Sequence, residues 1–182
     1  MKTTTRKLTV MGMLAAISIV LVMVVHFPLF PAAPFLEYDP ADIPIFLGTF
    51  AFGPLVGLIL TFVVSLIQGL TVSAQSGVYG IIMHVAATGA FVLLAGNIYK
   101  YHKSRGRAVV ALLCGVLVMA AVMAAANLVI TPLFMGTPVS AVKAMLLPVI
   151  IPFNLIKAGI NALITFLVYK PLSRYLHGEN LS

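Results

Sequence analysis

Four stretches of this chain, 8–27, 78–99, 108–131 and about 147–169, stay apolar over roughly the twenty residues that a helix needs to cross the core of a bilayer. Charged residues make up only 8% of the chain and hydrophobic ones 62%. A soluble domain carries about 25% charged residues, so these few could not cover a globular surface in water. Lipid is the solvent that fits, and the fold class expected is all-α, a polytopic membrane protein. No linker, repeat or low-complexity tract divides the 182 residues, which are read as one membrane domain over 1–182. The first run, Leu8 to Phe27, follows Lys2, Arg6 and Lys7 as a secretory signal would. It is long enough to span and no A-x-A site closes a short core, so it is read as a retained helix.

The segment 43–71 is too long for one upright helix and short for two, and it contains Gly53-Pro54, a strong interrupter. Charge decides between the readings. The N-terminal tail is basic, as are the loop with Lys100, His102, Lys103, Arg105 and Arg107 and the C-terminal end with Lys170 and Arg174. The positive-inside tendency puts all three on the cytoplasmic side, which also explains the net charge of +7 without nucleic acid. An even number of crossings then separates the tail from the 100–107 loop, so the segment splits at Gly53-Pro54. Six helices follow, about 8–27, 43–53, 54–71, 78–100, 107–132 and 144–171, with both termini cytoplasmic and a loop over 28–42 outside. Glu37, Asp39 and Asp42 fall in that outer loop and Glu179 inside, so every acid is expected beyond the helical runs.

Polar groups inside such runs are expensive, and they mark sites. Lys157 lies deep in the last run, too deep to snorkel comfortably, with Asn154 three residues before it and Asn161 four after, all on one face. Pro148 and Pro152 precede them as early-turn prolines. Asn127, followed by Thr131 and Pro132, lies near the outer end of the fifth helix. Tyr79, Gly80 and His84 open the fourth, with His84 expected as a packed, neutral imidazole. Asn161 reads equally well as an interhelical tie. Together these residues suggest an outward-opening pocket. Residues 28–42, P-L-F-P-A-A-P-F-L-E-Y-D-P-A-D, hold four prolines with Leu, Phe and Tyr. A connector this stiff and apolar reads as a lid, and one that folds back would bring Glu37 or Asp39 to Lys157.

The chain has no G-x-x-x-x-G-K-[ST] phosphate loop, no H-E-x-x-H and no G-x-S-x-G. The lone Cys114 rules out an intrachain disulfide and reads as a small apolar filler. Uphill movement of a solute would need energy borrowed from a partner. Gly12 and Ala16, four apart beside Ala15 and Ser18, would let a partner helix come close, as would packing within the chain.

Several segments carry a family resemblance: the small-residue first helix, F-L-E-Y-D-P-A-D-I-P at 35–44, F-G-P-L-V-G at 52–57 and P-F-N-L-I-K at 152–157, with Asn127. Over nearly its whole length the chain resembles the substrate-binding S component of an energy-coupling factor (ECF) vitamin transporter, most of all the riboflavin-specific type. That resemblance implies six helices, a pocket under the first loop, and assembly with a transmembrane coupling subunit and two ABC ATPases. It implies a multi-pass protein of a prokaryotic cell membrane, not an enzyme, with no cofactor and riboflavin as the transported substrate. It assigns substrate contacts to Asn127, Asn154 and Lys157, with Leu36, Tyr38 and Tyr79 lining the site; Gly80 and His84 join them as their neighbours on the fourth helix. In the family an Ala-x-x-x-Ala pair on the first helix meets the coupling subunit. Here the spacing is Gly12-x-x-x-Ala16, with Ala15 alongside.

The chemistry suits a flavin. Asn offers a donor and an acceptor to the amide-like edge of the ring, and Lys157 can donate to ring carbonyls or ribityl hydroxyls. With one lysine, the free vitamin fits better than its phosphate. Two other readings stay open at this stage. One is an S component for thiamine or biotin. The other is a small membrane enzyme or stand-alone carrier using His84, Lys157 and Asp39 as acid–base groups.

Overall fold

The computed structural model describes residues 2–31, 33–101 and 103–177, with side chains described from 5 to 169 within those. Of the basic and acidic positions used to orient the chain, His102 and Glu179, and the side chains of Lys2, Lys170 and Arg174, lie outside the described residues. The protein is a helical bundle: α1 (Lys2–Val24), α2 (Asp42–Phe52), α3 (Pro54–Leu70), α4 (Gly77–Lys100), α5 (Arg105–Met135), α6 (Val139–Met145) and α7 (Ile151–His177). A two-residue antiparallel pair, β1 (Phe27–Pro28) and β2 (Glu37–Tyr38), ties the ends of the loop between α1 and α2, with Phe27 opposite Tyr38. Four segments are long and apolar enough to cross a membrane: Thr5–Val24, Gly77–Lys100, Arg105–Met135 and Val139–Tyr169. α2 and α3 are shorter apolar helices.

The break between α2 and α3 has a local cause. Gly53 takes φ 97°, a conformation that side-chain-bearing residues avoid, and Pro54 then starts α3, where its missing N–H costs nothing. α2 is apolar all round and buried from Asp42 to Ala51, the signature of a central helix. Gly57 lets α3 close on it, since a Cβ there would strike Thr49 Oγ1 and approach Val92 Cβ to 2.9 Å. Phe46 stacks on Phe91 with ring centroids 3.7 Å apart, and Phe50 on Tyr99 at 4.6 Å. Thr49, Thr61, Ser65 and Thr165 bond back to carbonyls four residues earlier, so each of these hydroxyls has a partner in the apolar interior.

The last span is less regular than the sequence suggests. It starts at Val139, before the expected 144, and between α6 and α7 the residues Leu146–Ile150 form a π turn around Pro148. Proline cannot donate the i→i−4 bond, and the ladder widens there instead of breaking. At its other end the chain departs from expectation too: α1 stops at Val24, so the loop begins before residue 28. Asp42 is the first residue of α2 and is fully buried. This corrects the expectation that every acid lies beyond the helical runs. Its cause is local, because the carboxylate finds donors on α4.

The two ends of the bundle differ in chemistry. Lys7 Nζ lies 6.0 Å from the Phe52 ring, Pro54 packs on Gly96, and Tyr169 Oη donates to Phe50 O at 3.2 Å while its ring meets Tyr99 edge-on. The start of α1, the 100–107 connection and the far part of α7 therefore share one end. The 25–41 loop covers the other, where Leu36, Ala33, Val142, Ile150 and Phe153 form a second core.

Candidate functional site

The loop is clamped to one face of α7. Lys157 and Asn161 are four residues apart, hence on one face of the helix. Lys157 Nζ donates to Asp39 Oδ2 at 2.6 Å and to Glu37 O at 3.2 Å. Asn161 Nδ2 donates to Asp39 O at 3.1 Å and its Oδ1 accepts from Tyr38 Oη at 3.1 Å. Three consecutive residues, 37–39, are thereby pinned by two side chains. Asp39 Oδ1 accepts the Ala41 N–H at 3.0 Å, and Glu37 Oε2 lies 2.8 Å from His26 Nε2. Burial, and then the neighbouring Asp39 carboxylate, push the Tyr38 phenol above its ordinary range, so it remains a donor to Asn161.

A cavity of about 180 Å³ lies beneath this loop. Seven of the eight predicted pocket residues line it: Leu36 from the loop, Tyr79, Gly80 and His84 from α4, Asn127 from α5, and Asn154 and Lys157 from α7. Tyr38 does not line it, which corrects the expectation. The strand register turns its ring onto Phe27 at 5.5 Å and its hydroxyl down to Asn161. Phe35, which was not foreseen, lines it from the loop instead. Apolar cover comes from Met83, Ala87, Met119, Met123 and Phe153.

The two pocket asparagines are held differently. Asn127 Nδ2 donates to Met123 O at 2.8 Å and its Oδ1 accepts from Thr131 Oγ1 at 2.8 Å. Asn154 Nδ2 donates to Ile150 O at 2.8 Å, and no described residue donates to its Oδ1. Lys157 has three donors, of which the loop takes two.

His84 is more than a packed ring. Its Nε2 lies 3.0 Å from Asp42 Oδ1, which also accepts from Thr88 Oγ1 at 2.9 Å, and its Nδ1 lies 2.8 Å from Ser65 Oγ. Ser65 Oγ in turn donates to Thr61 O at 2.6 Å. This chain joins α2, α3 and α4 behind one wall of the cavity. Asp42 Oδ2 and Gln68 Oε1 are buried with no partner among the described residues. Gln68 and Ser65 line the cavity and were not foreseen. The signal was there for Gln68, a carboxamide inside the apolar 54–71 run.

On α1, Gly12 and Ala16 face outward beside exposed Leu8, Met13 and Val20, while Ala15 turns inward against the core. A Cβ at Gly12 would meet nothing within 4 Å. Among the described residues no group of three His, Cys, Asp or Glu is arranged to hold a metal ion.

Comparison with known proteins bears on this geometry. Residues 6–169 match the family model described as "ECF transporter, substrate-specific component". The chain is 30% identical over 177 residues to the riboflavin transporter RibU of Staphylococcus aureus (strain TCH60), covering 94% of this chain and 92% of that one. It is 30% identical over 183 residues to the riboflavin transporter FmnP of Bacillus subtilis (strain 168), covering 96% and 95%. A solved structure of the S component of a bacterial ECF transporter superposes with a TM-score of 0.81 at 32% identity, covering 95% of this chain and 98% of that one.

Proposed function

This chain belongs to the family of ECF transporter substrate-specific components, and from that premise we propose that it captures riboflavin outside the cell for ATP-driven uptake by partner subunits. The family is a transporter component, not an enzyme. The relatives that match along the whole chain are riboflavin transporters. The observation that carries the reading is the cavity itself. It sets two carboxamides and an ammonium, Asn127, Asn154 and Lys157, against an apolar lining under a closed loop.

A flavin ring needs this combination. Its faces are apolar and large, and its pyrimidine-like edge alternates donors and acceptors. Asn154 Oδ1 is available to accept from the ring imide, and the third Lys157 donor is available to a ring carbonyl. Riboflavin carries no charge, which suits a cavity whose lysine is already neutralised by Asp39.

The proposed topology has six crossings with both termini cytoplasmic. It is supported by the gathering of Lys7, the 100–107 connection and the end of α7 at the bundle end away from the loop. α2 and α3 together form the second and third crossings, and α2 is shielded from lipid on all sides. The loop end then faces outward, and the protein is a multi-pass component of a bacterial plasma membrane. Energy comes from a transmembrane coupling subunit and two ATPases. The exposed Gly12–Ala16 ridge is proposed as the seat of the coupling subunit.

Purified protein should be yellow, with flavin absorbance bands, and should quench riboflavin fluorescence stoichiometrically. A colourless protein that quenches no added riboflavin would overturn the proposal.

A further inference from the structure

Asp42 is the most deeply buried acid among the described residues, and no described residue donates to its Oδ2. A carboxylate in an apolar interior is retained with a counter-charge or with a proton. The other charged groups around the loop are matched without it. Lys157 is engaged by Asp39 at 2.6 Å, and Glu37 lies against His26 at 2.8 Å. What faces Asp42 is His84, with Nε2 3.0 Å from Oδ1.

The hydrogens around this ring can be counted. Ser65 Oγ carries one, and at 2.6 Å from Thr61 O that hydrogen lies between the two oxygens. Towards His84 Nδ1, at 2.8 Å, Ser65 Oγ can then only accept, so Nδ1 bears a hydrogen. In a neutral imidazole the other nitrogen would be a bare lone pair. It would point at Asp42 Oδ1, acceptor against acceptor, where Thr88 Oγ1 already donates at 2.9 Å. A proton between Nε2 and Oδ1 removes that conflict and gives the buried carboxylate its counter-charge. The burial of Asp42 and the direction of the Ser65 hydroxyl are separate observations, and both call for the same proton.

We propose that Asp42 holds His84 as an imidazolium, in place of the neutral ring expected from the sequence, and that Asp42 is a positioning residue for the ligand, acting through this ring. His84 lines the cavity and Asp42 does not. With Nε2 given to Asp42 and Nδ1 to Ser65, neither nitrogen is left for a ligand. The ring offers its carbon surface to the cavity, in an orientation fixed from α2 and α3 at once. Charge-assisted bonds are about twice as strong as neutral ones, so the pair ties the α4 wall firmly to the first residue of α2, where the loop ends. The positioning role rests on the flavin reading above; the protonation of the ring does not.

The test uses the full chain, first without ligand. Nitrogen NMR of the imidazole rings near neutral pH identifies the His84 signal by its loss in His84→Gln. In wild type both nitrogens of that ring should bear hydrogen, and in Asp42→Asn only one. Asp42→Asn keeps the shape of the side chain and can donate to a neutral ring, so the fold should survive. Riboflavin is then titrated by fluorescence quenching. Asp42→Asn should weaken it about ten-fold, as loss of a charge-assisted bond does, although residue 42 does not border the cavity. With His84→Gln already in place there is no ring to hold, and adding Asp42→Asn should weaken binding by clearly less. A wild-type ring with a single protonated nitrogen overturns the imidazolium. Affinity that Asp42→Asn leaves intact, or weakens as much with His84→Gln as without it, overturns the positioning role and leaves the flavin reading standing. Wild type that binds no riboflavin overturns the flavin reading and the positioning role with it, and the nitrogen signal still decides the state of the ring.

Discussion

On the α7 side of the cavity Lys157 and Asn161 spend their donors on the backbone and carboxylate of residues 37–39, and Tyr38 completes the set. On the α3 side Gln68 Oε1 finds no donor among the described residues. The first wall is tied to the loop without a ligand, with only one Lys157 donor and Asn154 Oδ1 left unengaged, whereas the second leaves a buried acceptor unpaired. A residue in the first wall therefore holds the loop as well as whatever lies below it, and its loss should show in the unliganded protein. Gln68 Oε1 holds no such contact, so removing it should leave the unliganded protein no less stable. The contrast also changes the meaning of Lys157. As a bare intramembrane charge it asks for a ligand, but with Asp39 at 2.6 Å its first duty is to close the loop, and a single donor is left over.

The largest effect should come from breaking the clamp. Lys157→Met leaves the nearly buried Asp39 carboxylate without its cation, a type of loss that costs about 3–5 kcal/mol. The protein should keep its fold at a lower melting temperature and bind flavin much more weakly. Asp39→Asn should act in the same direction. Because the two residues form one unit, the double variant Asp39→Asn/Lys157→Met should lose less than the sum of the singles. If Lys157→Met melts like wild type, the two walls do not differ in the way argued.

A smaller effect separates the asparagines. Asn154→Leu removes the carboxamide whose Oδ1 is unengaged, and should weaken flavin binding by about ten-fold. Its melting temperature should fall little, since the lost Nδ2 bond runs to its own helix. A large drop in melting temperature with unchanged affinity would make Asn154 part of the self-sufficient wall.

Much of this was legible in the residues. Lys157, Asn154 and Asn127 announce themselves because polar groups are conspicuous in apolar runs. The Gly53-Pro54 break was readable because one residue supplies the φ 97° turn and the next begins a helix without its N–H. Three things were not legible. The family resemblance implies Tyr38 in the pocket lining, but a two-residue strand pair alternates faces and sends it the other way. Asp42 looked like the last residue of a solvated loop; only the fold brings His84 and Thr88, more than forty residues away, to accept it into the interior. The π turn at Leu146–Ile150 depends on how Pro148 is packed, and proline in a sequence announces a disturbance without its form.

Tyr38→Phe sharpens the account of the clamp at lower cost. It deletes one neutral hydrogen bond to Asn161 and keeps the ring against Phe27. About 1 kcal/mol of stability should be lost. Flavin affinity should change less than in Asn154→Leu, because Tyr38 does not border the cavity. A loss of affinity as great as that of Asn154→Leu would mean that the loop opens in solution to present Tyr38 to the ligand.

The smallest effect on the isolated protein should come from Gly12→Leu, far from both walls. The side chain would enter open space, and leucine favours a helix more than glycine does, so stability should hold or rise by a few tenths of a kcal/mol. Flavin affinity should be unchanged. Uptake by cells supplying the coupling subunit and ATPases should fall sharply, because small residues four apart permit an approach between helices that leucine forbids. The two measurements together isolate the partner face from the cavity: normal binding with failed uptake assigns the α1 ridge to assembly, and normal uptake removes that assignment. Ala15→Leu serves as the contrast, since Ala15 faces the core and its enlargement should lower the melting temperature before it touches transport.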